Sequence, residues 1–235
     1  MRAGHRVARR ELADETRGVT SESPPEVDAL YAGVTRLFDL TDSLDRNVGD
    51  CTRGVYLFID YDDEPIYVGQ TTERLRTRIR RHLTNQRTDA VAMRVLDPFE
   101  VAEVEMWPFW DLEGRDVGDT LDRAEFTVYR EALAKSKFRA VLNEGEITKT
   151  ELIDLPPSVR GALLSEDARQ SREHPDLRLA RRARTIADRA RVISERQVKL
   201  GIRQTLWVQS RRLEHLARAR LGELGGSVHH FDETV

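Results

Sequence analysis

Gly54-Val55-Tyr56-Leu57-Phe58-Ile59-Asp60-Tyr61-Asp62-Asp63-Glu64-Pro65-Ile66-Tyr67-Val68-Gly69 and, a few residues on, Arg74-Leu75-Arg76-Thr77-Arg78-Ile79-Arg80-Arg81-His82-Leu83 decide how this chain is read. Two short apolar runs, 55–59 and 66–68, flank the acidic turn 60–65. That pattern predicts two strands of a hairpin joined by a loose loop. The second segment predicts a helix. Leu75, Ile79 and Leu83 recur at i, i+4 and i+8 on one stripe, and Arg74, Arg78 and His82 fall on the stripe beside it. Thr71 and Thr72 are candidate caps for its start.

Outward from this centre, the N-terminal 1–25 is polar and aperiodic, ending in Ser21-Glu22-Ser23-Pro24-Pro25, and reads as a mobile arm. A helix is expected over 26–44, where Val27, Leu30, Tyr31, Val34, Leu37 and Phe38 repeat at helical spacing behind the proline pair; the rest of 26–53 is linker. Downstream, 101–109 predicts a third strand, and Pro108 places it at an edge or ends it. A helix follows from Asp119 or Thr120 to about Lys135, with Leu121, Ala124, Val128 and Ala132 on its apolar side and Glu125 beside them. Pro156-Pro157 marks a boundary near 150–158. Residues 159–226 are expected to form a helical extension, as two antiparallel helices or one bent helix, with Gly201 as its break; 227–235 is a frayed tail carrying His229, His230 and Asp232, read as inert.

Composition narrows the class. Charged residues are 34% of the 235, and no apolar run approaches the length of a membrane span. Cys51 is the single cysteine, which excludes an internal disulfide and a cysteine-built zinc site and fits a reducing cytoplasm. The net charge of -3 hides an asymmetry. Residues 54–147 carry 13 Arg/Lys against 19 Asp/Glu, whereas 176–220 carry 13 against 4. A basic tail beside an acidic body points to a polyanionic partner.

The two tripeptides, the eleven-residue step from Tyr56 to Tyr67, and the order Leu75-x-x-Arg78-x-x-x-His82 resemble the GIY-YIG nuclease family, in its restriction-endonuclease-like form, over about 54–147. The resemblance implies a small α/β (α+β) domain at 54–150 with a three-stranded, mainly antiparallel sheet between helices. It implies roles as well. Tyr56 is the expected general base, Tyr67 its neighbour, Arg78 the grip on the scissile phosphate, and His82 a donor to phosphate or water. Asn143 braces the site, and Gly69 completes the second tripeptide. One glutamate of the later helix holds a single Mg²⁺ or Mn²⁺: Glu125 is the candidate and Glu131, twelve residues before Asn143 rather than eighteen, the alternative. Gln70 stands where some relatives carry lysine.

Such a site implies a metal-dependent DNA endonuclease of restriction or phage defence, with repair-type nicking of branched or damaged DNA as the other enzymatic reading. A binding module that has lost catalysis, and a regulatory subunit pairing through its long helices, are the non-enzymatic ones. Arg74, Arg76, Arg80 and Arg81, and on the tail Arg178, Arg181, Arg182, Arg184, Arg189, Arg191, Arg211 and Arg212, are candidate phosphate contacts. The same helices are also candidates for a homodimer contact, since one site cuts one strand. The alternative for these arginines is a solvated, self-associating helical face.

Overall fold

A computed structural model describes residues 24–84, 97–143, 145 and 147–227. The expected arm (apart from its last two residues) and all but the first residue of the tail lie outside them. Six helices and four strands are described: α1 Pro25–Leu37, β1 Gly54–Ile59, β2 Pro65–Thr71, α2 Leu75–Thr84, β3 Glu103–Pro108, α3 Val117–Lys135, β4 Val159–Ala162, α4 Glu166–Glu173, α5 Pro175–Glu195 and α6 Leu200–Glu223.

The strands form one antiparallel sheet in the order β2-β1-β3-β4. Alternation along β1 divides its side chains between two cores. Tyr56 and Phe58, with Tyr67, Val104 and Met106, pack beneath α2 (Leu75, Ile79, Leu83) and α1 (Leu30, Val34, Leu37). Val55, Leu57 and Ile59, with Val68 and Trp107, pack beneath Leu121, Ala124, Val128 and Ala132 of α3. The apolar stripes expected for α2 and α3 are thus the faces each helix buries. Pro108, which has no amide hydrogen to give, ends β3 at its pairing with Gly54.

Three expectations are corrected. The sheet has four strands, because Val159–Ala162 pairs along β3 from Glu103 to Met106. The segment assigned to a helical extension therefore begins inside the sheet. The break between the last two helices falls at 196–199, and Gly201 lies in the first turn of α6. α1 ends at Leu37, before 44.

A fourth correction concerns the basic tail. Four of its eight candidate arginines are buried. Arg178, Arg182 and Arg212 are 3%, 6% and 2% exposed, and they meet the acidic turn between β1 and β2. Asp62 accepts a two-pronged bond from Arg178 at 2.8 and 2.6 Å. Asp60 lies 2.8 Å from Arg182 and 3.4 Å from Arg212, and Glu100 takes Arg181 and Arg182 at 2.8 and 3.0 Å. Arg189 is also fully buried, and it bonds the Thr205 hydroxyl across α5 and α6. A cavity lined by Asp60, Ile66, Glu100, Leu142, Arg182 and Arg212 lies in this ionic layer and shares no residue with the tyrosine cluster described below. Much of the charge asymmetry is therefore compensated within the chain. Burial pushes Asp60 above the usual carboxylate range although Arg212 and Arg182 oppose it. Asp62, more open, is also pushed up by burial, but Arg178 outweighs that and holds it low.

Candidate active site

The site is built where β1, β2 and α2 meet. Tyr56 is fully buried, and its ring lies 6.4 Å from that of Tyr67 and 5.9 Å from that of His82; Tyr67 and His82 are 5.3 Å apart. The pairing Tyr56↔Gly69 accounts for the second glycine of the motif. A Cβ at 69 would stand 2.4 Å from the Tyr56 hydroxyl oxygen, so only glycine leaves room for the phenol. At Gly54 a Cβ would stand 2.8 Å from the Trp107 carbonyl oxygen and 3.0 Å from Leu75, where α2 crosses the strand. Thr71 accepts from the Glu73 amide at 3.0 Å and shapes the turn into α2.

Helix α2 delivers Arg78 and His82 one turn apart. The Arg78 guanidinium lies beside the Tyr56 phenol, and neither the buried Tyr56 hydroxyl nor the buried Arg78 Nε makes a well-aligned hydrogen bond among the described residues. Burial pushes the phenol well above its ordinary value; Tyr67 adds to this, Arg78 opposes it, and Glu125 adds again. The neighbouring guanidinium does not lower the phenol below 10, which the base role would require. His82 is buried with neither ring nitrogen hydrogen-bonded. Burial, then Arg78 and Arg81, lower it to about 4, so it is a neutral imidazole at pH 7.

Glu125 comes from α3 and Gln70 from the end of β2. Gln70 Nε2 donates to Glu125 Oε2 at 3.2 Å and to Asp122 Oδ1 at 2.6 Å. Burial raises Glu125 to about 7; Asp122 adds to the shift, while the Gln70 bond and the Arg78 charge oppose it. Glu125 is thus coupled to both Arg78 and Tyr56. Glu131 is exposed. Six residues beyond Glu125, it is turned well over a right angle around the helix and joins none of these groups. Asn143 closes the edge of β2 with its side chain: Oδ1 accepts from Val68 N at 3.1 Å and Nδ2 donates to Val68 O at 2.7 Å. It copies a strand neighbour and pins the segment that carries Tyr67 and Gly69.

The candidate DNA contacts divide. Arg74, just before α2, and Arg80, on it, are exposed, with Arg80 over the Phe38 ring. Arg76 is held by Asp50 at 3.1 Å and Arg81 by Glu73 at 2.7 Å. On the tail, Arg184, Arg191 and Arg211 face outward, Arg211 lying 5.5 Å from the exposed Trp207 ring. Arg178, Arg182, Arg189 and Arg212 leave the set of phosphate contacts, because a buried guanidinium with internal partners has no face for a duplex, and Arg181 is mostly spent on Glu100. The reading of the sequence missed Asp122 and the holding role of Gln70. The one local signal was two acids at i and i+3 on the margin of α3.

Among the described residues, no three His, Cys, Asp or Glu side chains gather as a metal cage. The Glu125 carboxylate nonetheless fits a hard cation such as Mg²⁺, which keeps several waters and takes one or two carboxylates with substrate phosphate oxygens. No helix among the described residues is long and apolar enough to cross a membrane. Searches of the curated proteins and of the solved structures returned no match. Residues 52–112 match the family model described as the GIY-YIG catalytic domain.

Proposed function

From a chain that belongs, through residues 52–112, to the GIY-YIG nuclease family, we propose a metal-dependent DNA endonuclease whose site is Tyr56, Tyr67, Arg78, His82 and Glu125. The observation that carries this reading is the buried cluster of Tyr56, Tyr67 and His82, with Arg78 one turn before His82 on α2 and with Glu125, from α3, bonded to Gln70 beside Gly69. Glu125 would hold the cation, which when bound neutralises phosphate charge and acidifies water.

The chain's own groups do the rest. Arg78 presents its planar fork to the non-bridging oxygens of the scissile phosphate, where negative charge builds in the transition state. His82, neutral, offers one N–H donor and one acceptor to phosphate or water. The attacking water hydrogen-bonds to the Tyr56 oxygen. Transfer of its proton there requires the phenolic proton to pass first to solvent, and Arg78 beside the phenol favours that phenolate. Water attacks phosphorus, its proton passing to the Tyr56 oxygen, and the bond to the 3′ oxygen breaks; that oxygen takes a proton from solvent, giving a 5′-phosphate and a 3′-hydroxyl.

The cellular role we favour is restriction or phage defence in the cytoplasm; repair-type nicking is the alternative. Cutting both strands takes two copies or two sequential events. A homodimer through the C-terminal helices would have to use their outer faces, because their inner faces are already occupied.

The test is supercoiled plasmid with Mg²⁺, with EDTA and Glu125→Ala as controls and Glu131→Ala alongside. Metal-dependent nicking or linearisation that survives Glu131→Ala and vanishes in Glu125→Ala supports the reading, and discrete bands favour restriction. Absence of cleavage on plasmid, modified phage DNA and branched DNA overturns it in favour of a binding module.

A further inference from the structure

Asp122 lies one turn before Glu125 on the same face of α3, and a single nitrogen, Gln70 Nε2, bonds a carboxylate oxygen of each, at 2.6 and 3.2 Å. Two carboxylates converging on one atom repel each other, and a neutral amide compensates that repulsion weakly. A divalent ion compensates it far better. Mg²⁺ accepts one or two carboxylates and fills its remaining positions with water and phosphate oxygens.

An independent observation points to a missing ligand at the same place. The Tyr56 hydroxyl is fully buried and makes no well-aligned hydrogen bond among the described residues, the Arg78 guanidinium beside it included, and leaving such a group poorly paired is costly. It abuts Gly69, the residue next to Gln70, and lies within charge range of Glu125. A hydrated cation beside Glu125 would offer this hydroxyl a water to bond.

We propose that Asp122 is a second carboxylate ligand, alongside Glu125, of the catalytic cation, and that the Gln70 amide holds the pair in place until the cation displaces it. This rests on the metal-dependent reading above, and binding measured without turnover separates the two. The probe is Mn²⁺, titrated into the full chain at pH 8 without DNA and followed by loss of the free-ion electron paramagnetic resonance signal. Glu125→Gln, Asp122→Asn, Gln70→Met and Asp119→Asn are compared, each checked for folding by circular dichroism. Asp119 is one further turn back on α3, highly exposed and paired only loosely with Arg123, so it reports bulk charge alone.

Asp122→Asn is expected to weaken Mn²⁺ by about tenfold or more, as loss of a ligand or its immediate support does elsewhere. Asp119→Asn should leave affinity within about twofold, since its charge is exposed and screened, and Gln70→Met should tighten binding. Wild-type affinity in Asp122→Asn with loss in Glu125→Gln overturns the second ligand and leaves a single-carboxylate site. Equal weakening by Asp122→Asn and Asp119→Asn also overturns it, as a charge effect. No Mn²⁺ binding by the unaltered protein at millimolar ion overturns the metal-dependent reading itself.

Discussion

Asp60→Asn tests whether the basic C-terminal helices are spent on the fold. The Asp60 carboxylate is almost fully buried, and it accepts from the Asp62 and Glu64 amides at 2.8 and 3.1 Å while facing Arg182 at 2.8 Å and Arg212 at 3.4 Å. An asparagine amide oxygen can keep the two turn bonds, so the substitution isolates the charge. At an effective dielectric constant near 20, each pair has a gross attraction of about 5–6 kcal/mol, most of it offset by desolvation. Removing one member of such a group costs about 3–5 kcal/mol because the survivor is left buried and uncompensated. Arg182 retains Glu100, but Asp60 is the one carboxylate within 4 Å of Arg212 among the described residues.

Neutralising Asp60 also relieves the burial cost that pushes its own carboxyl up, so the expected loss lies at the low end, about 3 kcal/mol, read from urea unfolding followed by tryptophan fluorescence. Arg212→Met should cost a similar amount, and the double variant should be less destabilised than the sum by about 2 kcal/mol, as coupled neighbours are. A loss below about 1 kcal/mol for Asp60→Asn, or an additive double variant, would refute the docking of the helices through this charge layer. DNA binding gives a second check. A phosphate-contacting arginine contributes close to one unit to the slope of log affinity against log salt. Arg212→Met, assayed where it is folded, should leave that slope unchanged.

Further outcomes follow from the site. Gly69→Ala places a methyl 2.4 Å from the Tyr56 oxygen; overpacking of about 1–3 kcal/mol is expected in thermal unfolding, with cleavage lost even where the protein remains folded. Arg78→Lys keeps the charge but loses the planar fork, and single-turnover cleavage should slow by about 100-fold or more. Glu125 has a folded pKa of about 7 against 4.5 for the free group, so the folded state binds its proton more tightly than the unfolded state, and stability falls as pH rises from about 4.5 to 7. In EDTA, Glu125→Gln should then be more stable than the unaltered chain at pH 8, by at most about 3 kcal/mol, and show no gain at pH 4; denaturant midpoints at the two pH values check this. His82, lowered to about 4 by burial, contributes the opposite trend: stability present above pH 6.5 is lost as pH falls towards 4, and His82→Gln should flatten that acid limb.

Much of the site was legible because its signals are local. The hairpin is visible in two short apolar runs around an acidic turn, and α2 in the spacing of Leu75, Ile79 and Leu83. The motif order then places Tyr56, Tyr67, Arg78 and His82 on those elements, where the structure brings them together. Glu125 and Glu131 could not be separated by spacing to Asn143. Their separation needed the packing of α3 on the sheet, which turns one glutamate towards Tyr56 and the other to solvent.

What the amino-acid sequence determined by itself is the set of periodic elements and the family motif, since periodicity and motif spacing are properties of near neighbours. Strand β4 was beyond it. Val159–Ala162 is four residues long with no fully buried side chain, and it becomes a strand because β3 offers an unpaired edge, a property of the assembled sheet. The destination of the basic tail was decided in the same way. Sequence reports that Arg178, Arg182 and Arg212 are charged, but phosphate and carboxylate attract a guanidinium alike. Only the tertiary fold brings Asp60, Asp62 and Glu100, which lie 78 to 152 residues away along the chain, within bonding distance, and burial then leaves those arginines no outside partner.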